Sequence, residues 1–363
     1  MNPVNEDHLS RLGKPLPKSV VILRALQLGD MLCAVPALRA LRFALPKAHI
    51  ALVGLPWAKS FMKRFSLYID DFIEFPGYPG LPERKADVYR LPEFISRIQK
   101  ERFDLVLQMQ GNGSVVNPLV ELFGAKESAG FYRKGEFCPD QDRFLAYPDR
   151  EPEIRRHLRL MEFLGVPLKG EHLEFPITDQ DREDLLAIKE VGDLLDQQYA
   201  CVHPGSSVET RRWAPEKFAA VADSLYDNGL DVVITGSQAE RELAQKVSRC
   251  MRAPHRNIAG RTSIGALAVL ISQSRMIVCN DTGVSHMAEA LRVPSVIVVT
   301  GSAPERWRPL DHERHRAVYH EVDCRPCSYL SCPFGSRCSN LVEPKEVIGQ
   351  VQDLLSKEGY YAA

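Results

Sequence analysis

Twice along this chain, short apolar runs rich in β-branched residues alternate with stretches of helical periodicity, and this alternation constrains the fold more than any other feature. Ser19 to Leu26 (SVVILRAL) reads as a strand buried on both faces, as in a parallel sheet. Beyond a turn at Gln27 to Asp30, Leu32, Val35, Leu38, Leu41 and Leu45 recur at helical spacing, with Pro36 placed near the helix start. Strands are predicted again at 50–53, 72–75 and 104–108, and a helix at 91–99. A linker is expected at about 166–180, where the chain turns acidic and polar. The second half then predicts strands at 200–203, 231–235, 276–279 and 295–299, with helices at 215–226, 239–250, 264–272 and 284–291. The fold class is α/β, with two Rossmann-like doubly wound domains. The boundaries are 1–175 for the first domain, 176–345 for the second, and 346–363 for a C-terminal helix that could pack back on the first.

The length of 363 residues and 45% hydrophobic content support two such cores. With 46 Lys plus Arg against 47 Asp plus Glu, the chain lacks the global positive field of a nucleic-acid binder, so no nucleic acid polymer is expected as partner. The balance hides an asymmetry: residues 1–100 hold 15 basic against 9 acidic side chains, and residues 101–198 hold 12 against 20. A basic first domain suits an anionic partner or peripheral association with the inner membrane, and equally suits solvated helix faces. The first residues show no export signal, and no run reaches the roughly 18 apolar residues of a membrane span, so a cytoplasmic location is expected. Cys33, Cys138, Cys201, Cys250 and Cys279 stand alone and read as reduced thiols filling core space.

In open α/β sheets ligands bind beyond the carboxyl ends of the strands, so the loops there carry the candidate chemistry. Gly29 and Asp30 follow the first strand. The glycine eases the turn, and the carboxylate either caps the next helix or serves as a general base. His203-Pro204-Gly205-Ser206-Ser207, with Arg211 and Arg212, can offer N–H, hydroxyl and guanidinium groups to phosphate oxygens, or form an ordinary turn beside surface arginines. Asn280-Asp281-Thr282-Gly283-Val284-Ser285-His286 joins a strand to a helix; its polar residues can be simple caps, or the helix N-terminus can hold a diphosphate. Thr235-Gly236-Ser237 with Glu240 is placed to reach a ribose or a base.

The segments VVILRALQLGDMLCAVPALRALR, VHPGSSVETRRWAPEKFAAVADSL and VCNDTGVSHMAEALRVPSVIVVTGSAPERWRP together resemble the bacterial ADP-heptose:lipopolysaccharide heptosyltransferase family. The resemblance implies a GT-B fold, two Rossmann-like domains facing across a cleft, with acceptor on the first and ADP-sugar on the second. It implies inverting transfer of heptose from ADP-heptose to an inner-core lipopolysaccharide or other glycan acceptor, and no metal requirement for catalysis. Asp30 matches the family's general base. Ser206, Ser207, Thr282, Gly283, Val284, Ser285 and His286 match residues around the phosphates, and Glu240 and Asp281 residues near ribose or sugar. Relatives usually carry lysine where this chain has Arg211, which keeps the charge but alters its reach. The other readings are a GT-B transferase or epimerase using another nucleotide sugar, and a non-catalytic nucleotide-sugar-binding protein.

Cys324, Cys327, Cys332 and Cys338 crowd into fifteen positions. Their number and spacing suit a structural zinc or iron site with no open coordination position, or else a loop of reduced or disulfide-linked cysteines.

Overall fold

The structure, a computed structural model, describes residue 9, residues 11–195 and residues 197–357. It divides into two compact units, Met1–His172 and Leu173–Ala363, each built on a parallel sheet. The first contains β1 (Ser19–Leu23), α1 (Leu28–Ala44), β2 (His49–Gly54), α2 (Ala58–Arg64), β3 (Asp71–Glu74), α3 (Leu91–Glu101), β4 (Leu105–Gln108), α4 (Asn117–Glu121), β5 (Glu127–Tyr132), β6 (Phe144–Ala146) and α5 (Glu153–Phe163). The second contains α6 (Asp179–Leu186), β7 (Tyr199–His203), α7 (Pro215–Asp227), β8 (Asp231–Ile234), α8 (Arg241–Cys250), β9 (Arg256–Asn257), α9 (Ile264–Gln273), β10 (Met276–Asn280), α10 (Gly283–Ala290), β11 (Ser295–Val298), α11 (Pro304–Trp307), β12 (His315–Val318), α12 (Arg337–Leu341) and α13 (Pro344–Ser356).

The strand orders are β3-β2-β1-β4-β5-β6 and β12-β11-β10-β7-β8-β9, all pairs parallel. Each sheet therefore runs 3-2-1-4-5-6 in its own numbering, the doubly wound order, with its switch point between the first and fourth strands. The central strands are mainly apolar because helices cover both faces: Val20, Val21, Ile22 and Leu23 of β1 are fully buried, as are Ala200, Cys201 and Val202 of β7. In the first unit Phe94 of α3 packs edge-to-face on Phe75 and Phe123, with ring centroids 5.9 and 5.7 Å apart.

The second unit opens on a capping box, in which the Thr178 hydroxyl accepts from the Asp181 N–H and the Asp181 carboxylate from the Thr178 N–H. The C-terminal helix α13 buries Val347, Val351 and Leu354 in the second unit's own core, where it lies against α7, β11 and β12. The part of the expected 346–363 helix beyond residue 357 lies outside the described residues.

Two expectations are corrected. Pro36 does not mark the start of α1, which begins eight residues earlier at Leu28. Proline breaks one backbone hydrogen bond inside the helix, but burial of Met31, Leu32, Val35, Leu38 and Leu41 carries the helix through it. Of the five isolated cysteines, Cys33, Cys201 and Cys279 are buried as expected, whereas Cys138 is half-buried and Cys250, in the last turn of α8, is exposed. Among the described residues no helix is long and apolar enough to cross a membrane.

Candidate functional site

The early start of α1 moves Gly29 and Asp30 out of a loop and into a helical first turn. Gln27 is the N-cap, so Asp30 is the third helical residue and not the cap itself. Beneath it lies an arginine that the sequence had hidden in an apolar run. Arg24, at the end of β1, is 1% exposed. Its Nε donates to the Asp30 carbonyl at 3.1 Å, and its Nη1 donates to the Met109 carbonyl, beyond β4, at 2.6 Å. Arg24 thus ties the loop after the first strand to the loop after the fourth, across the switch point. Nearby, the Gln110 side chain accepts from the Ala25 N–H at 2.7 Å. Glu83, in the loop after β3, has a buried Oε2 with no hydrogen-bond partner. Burial, and after it the charge of Asp30, hold its carboxyl above the usual range. Two carboxylates therefore face one region of the first unit.

Arg24 is itself held by a buried network from the start of α5. Glu153 lies 3.3 Å from Arg24 Nη2, pairs through its other oxygen with Arg156, and meets His157 Nε2 at 3.1 Å. Burial first, then the Arg24 charge, push the His157 pKa down to about 4, against the opposing pull of Glu153. The folded protein therefore disfavours protonated His157 while the unfolded chain, with an ordinary imidazole near 6.5, accepts the proton. Stability is full above pH 6.5, falls as the pH drops below it, and levels off below about 4. One such group is worth on the order of 3 kcal/mol. Urea unfolding followed between pH 7.5 and 4.5 tests this: His157→Gln is expected to flatten the profile, and an unchanged slope in the variant contradicts the assignment.

In the second unit the predicted residues converge at the carboxyl ends of three adjacent strands, β8, β7 and β10. Asn280 is fully buried and joins the loops: its Oδ1 accepts from the Trp213 N–H at 3.0 Å and its Nδ2 donates to the Pro204 carbonyl at 2.7 Å. A Cβ at Gly205 would stand 2.2 Å from Glu240 Oε1, so a larger residue there would push the Glu240 carboxylate aside. Glu240 also accepts from the Ser237 N–H and hydroxyl at 2.8 and 2.7 Å, so the Thr235-to-Ser237 loop and the His203-to-Ser207 loop meet at one carboxylate. His203 is buried, with Nδ1 3.0 Å from the Thr235 hydroxyl, and burial holds its imidazole below the usual range.

Ser206 is buried and Ser207 exposed. Arg211 closes a short 3₁₀ turn and is partly exposed, while Arg212 Nε donates to the Ser206 carbonyl at 2.8 Å. Thr282 occupies the N-cap position of α10, but its side chain makes no capping bond; the Ser285 hydroxyl bonds its carbonyl at 2.6 Å instead. Gly283 and Val284 open the helix. Asp281 is buried and accepts from the Ser302 hydroxyl, a tie to the loop after β11. His286 is 4% exposed, beside Glu289 and edge-on to Trp307 at 6.2 Å. The open helix N-terminus, the small residues and the arginines form a surface suited to an anionic group. Sequence reasoning had passed over Arg24, Glu83 and Glu153, which come together only in the folded chain.

The profile of glycosyltransferase family 9 (heptosyltransferase) matches residues 92–337, more than half of the chain. The lipopolysaccharide core heptosyltransferase OpsX of Haemophilus influenzae is 23% identical over 359 residues, covering 93% of this chain and 97% of its own. Among solved structures, a glycosyl transferase family 9 protein from Veillonella parvula matches with a TM-score of 0.78 at 21% identity, covering 94% of this chain and 98% of its own. The E. coli ADP-heptose lps heptosyltransferase II matches with a TM-score of 0.72 at 19% identity, covering 94% and 99%. These structural likenesses carry the GT-B fold that the family resemblance implied, built on the two Rossmann-like domains expected from the alternating pattern.

Proposed function

This chain belongs to glycosyltransferase family 9, and on that footing we propose that it transfers heptose from ADP-heptose to an inner-core lipopolysaccharide sugar with inversion at the anomeric carbon. The observation that carries the reading is the gathering of the Ser206, Glu240 and Asp281-to-His286 loops at the ends of three neighbouring strands of one sheet. In this reading the α10 N-terminus and the Arg211 and Arg212 guanidinium groups take up charge on the diphosphate as ADP departs. That charge grows in the transition state, so the same groups bind it more strongly there than in the ground state. Glu240 and Asp281 contact ribose or sugar. Asp30 removes the acceptor proton as the new C–O bond forms, while the anomeric carbon gains oxocarbenium character. No metal takes part in the transfer. The basic first hundred residues suit an anionic lipid-linked acceptor at the cytoplasmic face of the inner membrane.

A donor screen tests the proposal. Nucleotide release is measured with ADP-heptose and with UDP- and GDP-sugars in the presence of a lipid-core acceptor, and the anomeric configuration of the product is read by NMR. Release from ADP-heptose with inversion is expected. Release from a UDP-sugar alone overturns the donor assignment, and retention overturns the single-displacement mechanism.

A further inference from the structure

The four crowded cysteines play no part in the transfer just described, yet their surroundings are specific. They lie in and just after residues 319–336, a segment without helix or strand between β12 and α12. Compact domains seldom carry so long an irregular connection unless something fastens it. Apolar burial does little here: Tyr329 is 47% exposed, Leu330 80% and Phe334 57%. Instead, Cys324, Cys327, Cys332 and Cys338 all line one small cavity, together with Thr210 and Gly301. All four are free thiols.

The second observation concerns Cys332 alone. In Cys332-Pro333-Phe334-Gly335-Ser336, the N–H groups of Phe334 and Ser336 both donate to Cys332 Sγ, at 3.4 and 3.3 Å. Gly335 and Ser336 adopt left-handed conformations, φ 65° and 56°, to aim these amides. Amide-to-sulfur bonds of this kind surround metal-bound cysteines.

We propose that Cys324, Cys327, Cys332 and Cys338 bind one tetrahedral zinc or iron ion, which fastens the 319–336 segment onto the loops of the donor site. As the side chains lie, no three His, Cys, Asp or Glu among the described residues are grouped to hold a metal. Cys327 Sγ is turned toward the Tyr329 carbonyl at 3.9 Å, a weak contact that a metal–sulfur bond replaces. The ion closes the site, and the thiol protons leave to solvent as the bonds form. Four thiolates fill a tetrahedral ion, so its role is structural.

The segment and the helix α12 that follows it already grip the loops beside them. The Cys327 N–H donates to the Gly301 carbonyl at 2.7 Å, the Thr210 hydroxyl to the Tyr329 carbonyl at 2.9 Å, and the Ser339 hydroxyl to the Arg212 carbonyl at 3.3 Å. Fixing the segment thus fixes the chain from Ser206 to Trp213. This effect on the donor rests on the function proposed above, whereas metal content is read without any substrate.

The test is metal analysis of the untagged full-length chain, purified under reducing conditions. About one equivalent of zinc or iron per chain is expected, with iron giving sulfur-to-metal charge-transfer absorption and zinc none. Stripped wild-type protein loaded with Co²⁺ is expected to show the intense visible bands of a tetrahedral thiolate complex, an outcome that needs no variant to fold. Cys332→Ser is expected to lose both the metal and these bands, and stripping to weaken ADP binding roughly tenfold, equivalent to about 1.4 kcal/mol. Metal far below one equivalent with no Co²⁺ spectrum, or disulfides among the four cysteines in non-reduced peptide maps, overturns the site. Unchanged ADP affinity on stripping overturns the fastening role.

Discussion

Asp30→Asn is expected to lower kcat by roughly 10²- to 10⁴-fold, the usual contribution of a positioned general base, while leaving ADP affinity unchanged. The substitution keeps the shape of the side chain and removes only its capacity to take a proton. Asp30 is not the N-cap of α1, which is Gln27; it sits three residues further in. Its main chain is pinned from below by Arg24, and half-buried Glu83 brings a second carboxylate toward the same place. In the proposed reading this arrangement presents the carboxylate, and asparagine leaves its scaffold whole. Turnover at saturating donor and acceptor, set beside calorimetric titration with ADP, separates the roles. Near-normal turnover reduces Asp30 to a helix-terminal residue, and a parallel loss of ADP affinity assigns it to donor binding.

The parts of the fold that the sequence disclosed are those where burial on both faces leaves a continuous apolar run. β1, β7, β10 and β11 are of this kind, and so are the loops that follow β1, β7 and β10, since glycine, serine and carboxylates interrupt the pattern there. Strands without a continuous apolar run escaped. β5 (ESAGFY) and β12 (HRAV) mix polar with small residues, and β9 has only two residues, Arg256 and Asn257. The start of α1 escaped for another reason. A proline is a strong local signal, but here the buried helix face outweighs one missing hydrogen bond. Arg24 is the deepest omission: an arginine closing an apolar strand reads as a surface residue, and its counter-charge lies 129 positions away. Pairings at that separation leave no local periodicity to read.

That pairing sets the largest expected change in stability. Glu153→Gln should destabilise the protein by about 3–5 kcal/mol, because it removes the carboxylate shared by two buried guanidinium groups. Arg24 and Arg156 are each 1% exposed and Glu153 is 3% exposed, so water does little to replace the lost charge. Arg24→Met should cost less stability, since Glu153 keeps its contacts with Arg156 and His157. It should cost more activity, because only Arg24 among the three also holds the Asp30 and Met109 carbonyls. Denaturant unfolding measures the first effect, and a change below about 1 kcal/mol, the size of an exposed ion pair, rules out the network as a structural centre. Steady-state kinetics measure the second: Arg24→Met should lower kcat with ADP affinity unchanged. Equal kinetic loss in both variants would mean that the network acts on the site through general stability rather than through the placement of Asp30.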